Sequence, residues 1–405
     1  MDIQKSDCTI IGAGIVGLTL AYRLLERNIF KKIIIIEKEK EIGLHTSGRN
    51  SGVLHSGLYY KPGTLKARVC SKGSRRMRRW IEERNLSIND CGKIIVPTSK
   101  KEEPMLEVLF NRGKKNGCDI KLLEKDRLGS DFTQVYSSNG MALWSPKTAV
   151  VKPKEVLYQL EKELINKGVK FFKNSKLREV NPSKRSILIN NSIKINYNYA
   201  FNTTGLQSDR IARLFKVKHP YILLPFKGLY WKLKSDIPIK IKCNVYPVPD
   251  LNVPFLGVHF TPDLIGNISI GPTATPAWGR ENYRGLSSIE AGMTIKNIAL
   301  LTNQYLTNRG GFRKYVHEQA FQTFRPFLIK SAKKLIPSLK PEYIEPSEKV
   351  GIRAQLFNLE KKALVDDFIT LNCEGVTHIL NAISPAFTSS FELADVIIDK
   401  SEISK

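Results

Sequence analysis

The first hydrophobic run of the chain, Cys8-Thr9-Ile10-Ile11, stops at Gly12-Ala13-Gly14-Ile15-Val16-Gly17, and a second run, Ile33 to Ile36, ends in the acid Glu37. Short apolar runs bounded by turn formers predict buried strands, and the apolar face that follows Gly17 predicts a helix between them. A Gly/Ser-rich segment, Gly43 to Gly57, comes next. It leads into a helix from Lys66 to Arg84 whose buried side is Leu65, Val69, Met77 and Trp80. A short strand, Lys93 to Pro97, and a helix from about Glu102 to Gly117 precede a mixed region. From Val151 the pattern is regular again. Pro153 opens a helix with Val156, Leu157, Leu160 and Leu164 on one face, and Gly168 stops it. Val169 to Phe172 reads as a strand and Ile187 to Ile195 as a hairpin. Tyr197 to Asn202 is a further strand ending in Thr203-Thr204-Gly205, with helix from Ser208.

Residues 221–275 differ in kind. Leu229 to Leu233, Cys243 to Val248, Phe255 to Phe260 and Ile268 to Ile270 alternate or are β-branched, and Pro and Gly separate them, which predicts an antiparallel sheet. Helices follow over Ser288 to Asn303 and Glu318 to Leu335, then a last strand-and-helix unit, Phe368 to Asp399. A chain of 405 residues exceeds what one core holds, so two interleaved domains are expected. The first takes residues 1–90, 147–215 and 345–405 around a parallel sheet; the second takes 91–146 and 216–344.

The opening pattern carries chemistry. Gly12 must take positive φ for the strand to turn so tightly, Gly14 must lack a side chain for a pyrophosphate to approach, and Gly17 lets the helix pack close to the strand. Unpaired N–H groups and the macrodipole at that helix's N-terminus attract phosphates. Glu37 stands where it accepts hydrogen bonds from ribose hydroxyls, and an acid there favours an unphosphorylated ribose, as in FAD or NAD.

Composition narrows the picture. Six cysteines (Cys8, Cys70, Cys91, Cys118, Cys243, Cys373) form no CxxC pair, which argues against zinc and against a disulfide framework; no metal is expected. No apolar run approaches the roughly 20 residues that span a bilayer, and the fingerprint begins almost at once, so an intracellular protein is expected. The net charge is the oddity: 64 Lys and Arg against 38 Asp and Glu leave +26. Such a field attracts nucleic acid, anionic membrane or acidic metabolites. Many lysines sit among Ile and Asn, however, as a biased base composition produces. The densest cluster, Lys72, Arg75, Arg76, Arg78 and Arg79, falls on a helix and reads as a solvated face. The basic residues are dispersed and lack interleaved aromatics, so a nucleic-acid partner is disfavoured.

Several longer motifs bear a family resemblance. His45-Thr46-Ser47-Gly48-Arg49-Asn50-Ser51-Gly52-Val53-Leu54-His55-Ser56-Gly57-Leu58-Tyr59-Tyr60-Lys61-Pro62-Gly63 closely resembles the signature of the L-2-hydroxyglutarate dehydrogenases and oxidases, within the FAD-dependent D-amino acid oxidase superfamily. So do Tyr246-Pro247-Val248-Pro249, Phe255-Leu256-Gly257-Val258-His259-Phe260-Thr261, Gly351-Ile352-Arg353-Ala354-Gln355 and Leu380-Asn381-Ala382-Ile383-Ser384-Pro385-Ala386. The resemblance spans nearly the whole chain. It implies an α/β fold, a Rossmann-like FAD-binding domain interleaved with a β-rich (α+β) substrate domain. It further implies oxidation of L-2-hydroxyglutarate to 2-oxoglutarate, with electrons passed to a quinone chain or to oxygen. A cytoplasmic enzyme is expected, or one peripheral on the inner face of a membrane. The chain departs from the family at Thr148-Ala149-Val150-Val151-Lys152, where an acid is exchanged for Lys152, and at Asn202-Thr203-Thr204-Gly205, where Thr204 and Gly205 still keep the passage beside the cofactor small.

Removing hydrogen from a hydroxy acid needs a near-neutral base, and of six histidines His55 and His259 fall inside these motifs. A dicarboxylate needs cations. Arg353 is the candidate for the C1 carboxylate, and Lys227, Arg280 or the hydroxyl of Tyr59 or Tyr60 for the distal one. Ser47, Gly48, Asn50, Ser51 and Gly52 suit close passage along the cofactor, with His45 bracing their loop. Ser384, Pro385 and Ala386 bring a helix start near the flavin, where negative charge builds on reduction. No residue matches a covalent flavin attachment. The rivals are a related oxidase of an amino acid or glycerol 3-phosphate, and an RNA-associated flavoprotein.

Overall fold

Strand Asp2–Ile11 lies parallel between Ile33–Ile36 and Ile193–Asn202, with Ile10 abreast of Ile35 on one side and Phe201 on the other. This is a computed structural model, and it describes residues 2–251 and 256–404. Lys170–Phe172 extends the sheet beyond Ile33–Ile36, and Val376–Ile379 extends it beyond Ile193–Asn202, both in parallel. The hairpin of Ser186–Ile189 with the start of Ile193–Asn202 is present, and Leu177–Asn181 adds an edge strand to it. All four residues of Ile33–Ile36 are buried, as a strand covered on both faces requires. Helices Ile15–Glu26, Leu65–Glu82, Pro153–Asn166 and Ala386–Lys400 pack together over one face. Leu18, Leu24, Met77, Leu160, Phe391 and Ile397 meet in that core, each worth about 1.5–3 kcal/mol in burial.

A ten-stranded sheet forms the second layer. From one edge it runs Ala363–Leu364, Ile344–Asn358, Tyr221–Leu233, Ile268–Gly271, His259–Pro262, Asn244–Pro247, Lys93–Val96, Ala142–Ser145 and Lys121–Leu123, with Thr275–Pro276 beside Tyr221–Leu233. The runs expected between residues 221 and 275 do pair antiparallel, and Asn244–Pro247 also pairs in parallel with Lys93–Val96, so the whole sheet is mixed; the long connection between those two segments permits what a hairpin could not. Three expectations need correction. Residues 345–358, expected in the parallel-sheet domain, belong to strand Ile344–Asn358, which pairs with Tyr221–Leu233. The helix expected over Glu318 to Leu335 is two, Phe312–Gln322 and Arg325–Lys333, because Pro326 cannot bond back into a preceding turn and starts a new helix. The strand expected from Phe255 begins at His259; Phe255 itself lies outside the described residues.

Alternation sets which side chains share a face of this sheet. Phe226, Gly228 and Tyr230 share one face. Arg353 and Gly351 are abreast of Phe226 and Gly228 on the next strand. His259 is abreast of Gly271, and parallel pairing of Tyr246 with Ile95 puts Lys93 on the face that carries Tyr246. The basic helix Leu65–Glu82 is partly neutralised: Arg76 pairs with Glu392 at 2.9 Å and Asp395 at 2.6 Å, and Arg78 pairs with Asp90. Among the described residues no helix is long and apolar enough to cross a membrane.

Candidate active site

The turn after Asp2–Ile11 has no room for side chains. Gly12 has φ +105°, and a Cβ there would lie 2.8 Å from the Thr203 carbonyl oxygen; a Cβ on Gly17 would lie 2.1 Å from the Gly12 carbonyl oxygen. The Thr203 hydroxyl, one of the family departures, donates to the carbonyls of Ile11 at 3.0 Å and Gly12 at 2.9 Å and ties the two strands at the turn. Glu37 Oε2 accepts from the Ala13 N–H at 3.0 Å and Oε1 from the Glu39 N–H at 3.0 Å, and each oxygen keeps a lone pair for a ribose hydroxyl.

The Gly/Ser-rich loop lies across this turn. Ser47 Oγ accepts from the Ile15 N–H at 3.0 Å, next to Gly14. Asn50 donates to the Ser47 carbonyl at 2.7 Å and accepts from the Gly52 N–H at 2.9 Å, while Ser51 Oγ accepts from the Val53 N–H at 3.4 Å and the Gly48 N–H donates to the His45 carbonyl. His45 is held between Tyr283 OH at 3.0 Å and Glu39 at 2.9 Å. Glu39, His45 and Glu281 converge as metal ligands would, but the Lys38 ammonium pairs with both acids and supplies the charge a cation would bring. Thr204 caps Asn202 through a 2.6 Å bond.

One cavity runs from this turn to the ten-stranded sheet. Gly14, Ser47, Asn50, Ser51 and Gly205 line its nucleotide end; Ser384, Pro385 and Ala386, at the start of helix Ala386–Lys400, line its flank; His55, His259 and Arg353 line its far end. Gly12, Gly17, Glu37, His45, Gly48, Gly52 and Thr204 are not part of that lining; they act on the turn and the loop through the contacts given above. The residues fit FAD: a glycine turn closed to side chains, an acid beside it, and a helix N-terminus facing the cavity.

His259 Nδ1 is 2.7 Å from the Gly257 carbonyl oxygen, which can only accept, so Nδ1 carries the hydrogen and Nε2 the lone pair. Tyr246 stacks on the ring, 3.9 Å between centroids and 17° between planes. Burial, outweighing the Gly257 bond and helped by the Lys93 and Lys349 charges, pushes the His259 pKa down to about 4. His55 is pushed down to about 3 by burial, then by Lys93 and His259, and its Nδ1 is buried without a partner. Arg353 Nε donates to Gln355 Oε1 at 3.2 Å, and Gln355 is fixed in turn on the Val365 carbonyl at 2.7 Å.

Two of the four distal-carboxylate candidates are placed elsewhere. Lys227 alternates with Phe226 and Gly228 and so points to the opposite face, where it donates to Asn282 at 2.7 Å. Arg280 is buried on Asp209, with Nη2 to Oδ2 at 3.0 Å, and the Asp209 side chain is 1% exposed. Burial pushes the Asp209 carboxyl up, but the bonds and charge of Arg280 outweigh it and hold the pKa below the usual range. Arg280→Met should therefore cost about 3–5 kcal/mol, since the exposed Arg213 and the Leu223 N–H are then left to hold a buried carboxylate; a denaturant midpoint equal to wild type would refute the pair's structural role. Tyr60 contacts Ser384 and lies near Arg353, and burial raises its pKa well above the ordinary value. Tyr59 packs against the cluster that holds Leu58, Ile95 and Tyr246, with its hydroxyl buried and unbonded. Sequence reasoning missed Lys93, whose one signal is a lysine opening the otherwise apolar run Ile94-Ile95-Val96, and Lys349, which lies over the Tyr230 ring at 5.0 Å.

The family model "FAD dependent oxidoreductase", DAO, matches residues 7–400. The mitochondrial L-2-hydroxyglutarate dehydrogenase of Caenorhabditis briggsae is 34% identical, covering 98% of this chain and 93% of that protein. The human mitochondrial enzyme of that name is 33% identical over 97% of this chain and 88% of its own length, and that of the bacterium Indibacter alkaliphilus 33% over 98% of both. Among solved structures, L-alpha-glycerophosphate oxidase from Mycoplasma pneumoniae with FAD bound matches with a TM-score of 0.76 at 21% identity, covering 98% of this chain and 94% of that one, a likeness of fold. With the glycine turn, the acid beside it and the cavity between the two sheets, these matches show that the chain belongs to the DAO family of FAD-dependent oxidoreductases.

Proposed function

We propose that the chain oxidises L-2-hydroxyglutarate to 2-oxoglutarate, with electrons passed on to a quinone or to oxygen. The observation that carries the reading is the pairing, in one cavity, of an imidazole whose Nε2 is left as a proton acceptor with the guanidinium of Arg353. FAD, when bound, supplies the acceptor for the C2 hydrogen and its electron pair. Arg353 pairs with the C1 carboxylate and so orients C2. His259 Nε2 takes the hydroxyl proton as the carbonyl forms, while Gly257 holds the ring through Nδ1. His55 lines the same cavity as a second imidazole, and the stacked Tyr246 ring covers one face of His259. The names of the relatives support the same substrate.

Anaerobic rapid mixing of the purified holoenzyme with L-2-hydroxyglutarate, the D-enantiomer, L-malate, glycerol 3-phosphate and amino acids tests the reading. Fast bleaching of flavin absorbance by L-2-hydroxyglutarate alone is expected; bleaching only by an amine or a phosphate would keep the fold and overturn the substrate. Arg353→Ala should raise KM by about tenfold or more through loss of a charged hydrogen-bonded pair, and an unchanged KM would remove the carboxylate role.

A further inference from the structure

We propose that Lys93, with the hydroxyl of Tyr59, forms the subsite for the second carboxylate of the substrate. Lys93 is 0% exposed, and its Nζ is buried with no hydrogen-bond partner. It opens strand Lys93–Val96, pairs with Asn244 on one side and Ser145 on the other, and so stands on the sheet face that carries Tyr246. Its Nζ lies 4.5 Å from the ring centroid of Tyr59 and 5.3 Å from that of Tyr246, and its charge is felt at both His55 and His259. Among the described residues no carboxylate pairs with it. The neighbouring thiols supply no counter-charge either, because burial pushes Cys70 up to about 12 and Cys118 up to about 11.

An ammonium removed from water needs an anion or a full set of acceptors, and two tyrosine faces offset only part of that cost. Tyr59 OH, a second buried polar atom without a partner, belongs to the ring closest to Nζ. Two orphan donors behind the Tyr246 ring, which lines the cavity together with His259 and the cations Arg49 and Arg353, make a site for a second negative group. Specificity follows from the same cost: a 2-hydroxy acid with a methyl in place of the distal carboxylate leaves Lys93 unpaired, so the site rejects it.

The inference rests on the dicarboxylate reading above, and two measurements separate them. In turnover, wild type should prefer L-2-hydroxyglutarate over L-2-hydroxyvalerate by about 100-fold or more in kcat/KM, and Lys93→Met should abolish that preference mainly through KM for the dicarboxylate. An undiminished preference in Lys93→Met would overturn the subsite. In binding, glutarate and valerate are titrated against the flavin spectrum of the oxidised holoenzyme, which needs no turnover. Lys93→Met, and Tyr59→Phe to a lesser degree, should weaken glutarate by about tenfold or more and leave valerate unchanged. Equal glutarate affinity in all three proteins would refute the proposal. Glutarate binding that depends on Lys93 in an enzyme not reduced by L-2-hydroxyglutarate would keep the subsite and overturn the substrate. Tyr59→Phe removes an unbonded hydroxyl and no packing atom, so it carries the binding test if Lys93→Met does not fold.

Discussion

His259→Asn should slow reduction of the bound flavin by L-2-hydroxyglutarate about 100-fold or more while leaving the flavin content unchanged. Asparagine can still donate to the Gly257 carbonyl and fill the space beside Tyr246, but it offers no basic nitrogen. The pH profile of the wild-type enzyme checks the same group. Because the folded pKa of His259 is lowered, to about 4, the imidazole is neutral and competent throughout the neutral range and is lost as a base only when pH falls through that value. The second-order rate constant for reduction at low substrate, which reports the free enzyme, should stay level as pH falls from about 7 to about 5, below the ordinary histidine value. A base with so low a pKa in the free enzyme is weak. Burial sets most of that depression and the Lys93 ammonium adds to it, so a carboxylate arriving at Lys93 raises the proton affinity of His259 as the substrate binds. Unaltered reduction rates in both His259→Asn and His55→Asn would show that the proton leaves by another route. Loss in His55→Asn alone would move the base to that ring.

Gly17→Val should yield a protein with about a tenth or less of the normal flavin, because the new Cβ meets backbone that cannot yield. It would stand 2.1 Å from the Gly12 carbonyl oxygen, 2.7 Å from Thr203 Oγ1 and 3.2 Å from Ile10 Cγ2. The first two atoms belong to the hydrogen bond that closes the turn, so relief of the clash opens the place where the phosphates lie. The ratio of visible flavin absorbance to protein absorbance measures the loss directly. A fully yellow variant with wild-type thermal stability would show that the turn tolerates a side chain and that the cofactor is held elsewhere.

The nucleotide end was legible because its determinants are local. Strand, glycine spacing, helix and acid fall within residues 8–37, and a backbone that must turn within three residues leaves few options. The substrate end was legible only in part, since its determinants are registers between distant strands. Nothing near Lys227 says that its neighbours Phe226 and Gly228 take the inner face; pairing with Ile344–Asn358 decides that. Arg280 resembles a carboxylate receptor until the fold brings Asp209 beneath it, across 71 residues. Lys93 looks like an ordinary strand-end lysine until Asn244–Pro247 and Ala142–Ser145 close over it from both sides. The break at Pro326, by contrast, could have been read directly, because a proline inside an apolar helical pattern ends the helix before it.

The order of strands in the parallel sheet constrains the birth of the protein on the ribosome. Strand Asp2–Ile11 has Ile193–Asn202 as one of its two neighbours, and helix Ile15–Glu26 is backed by Ala386–Lys400, with Arg23 bonded to Asp395 at 2.8 Å. At a translation rate of about 5–20 residues per second, the apolar start of the chain waits roughly 10–40 s for its partner strand and longer for the helix that covers it. The cavity gains its full lining only once Ser384 to Ala386 have been made, and a nascent chain stalled before Ala386 presents aggregation-prone apolar segments to chaperones and proteases.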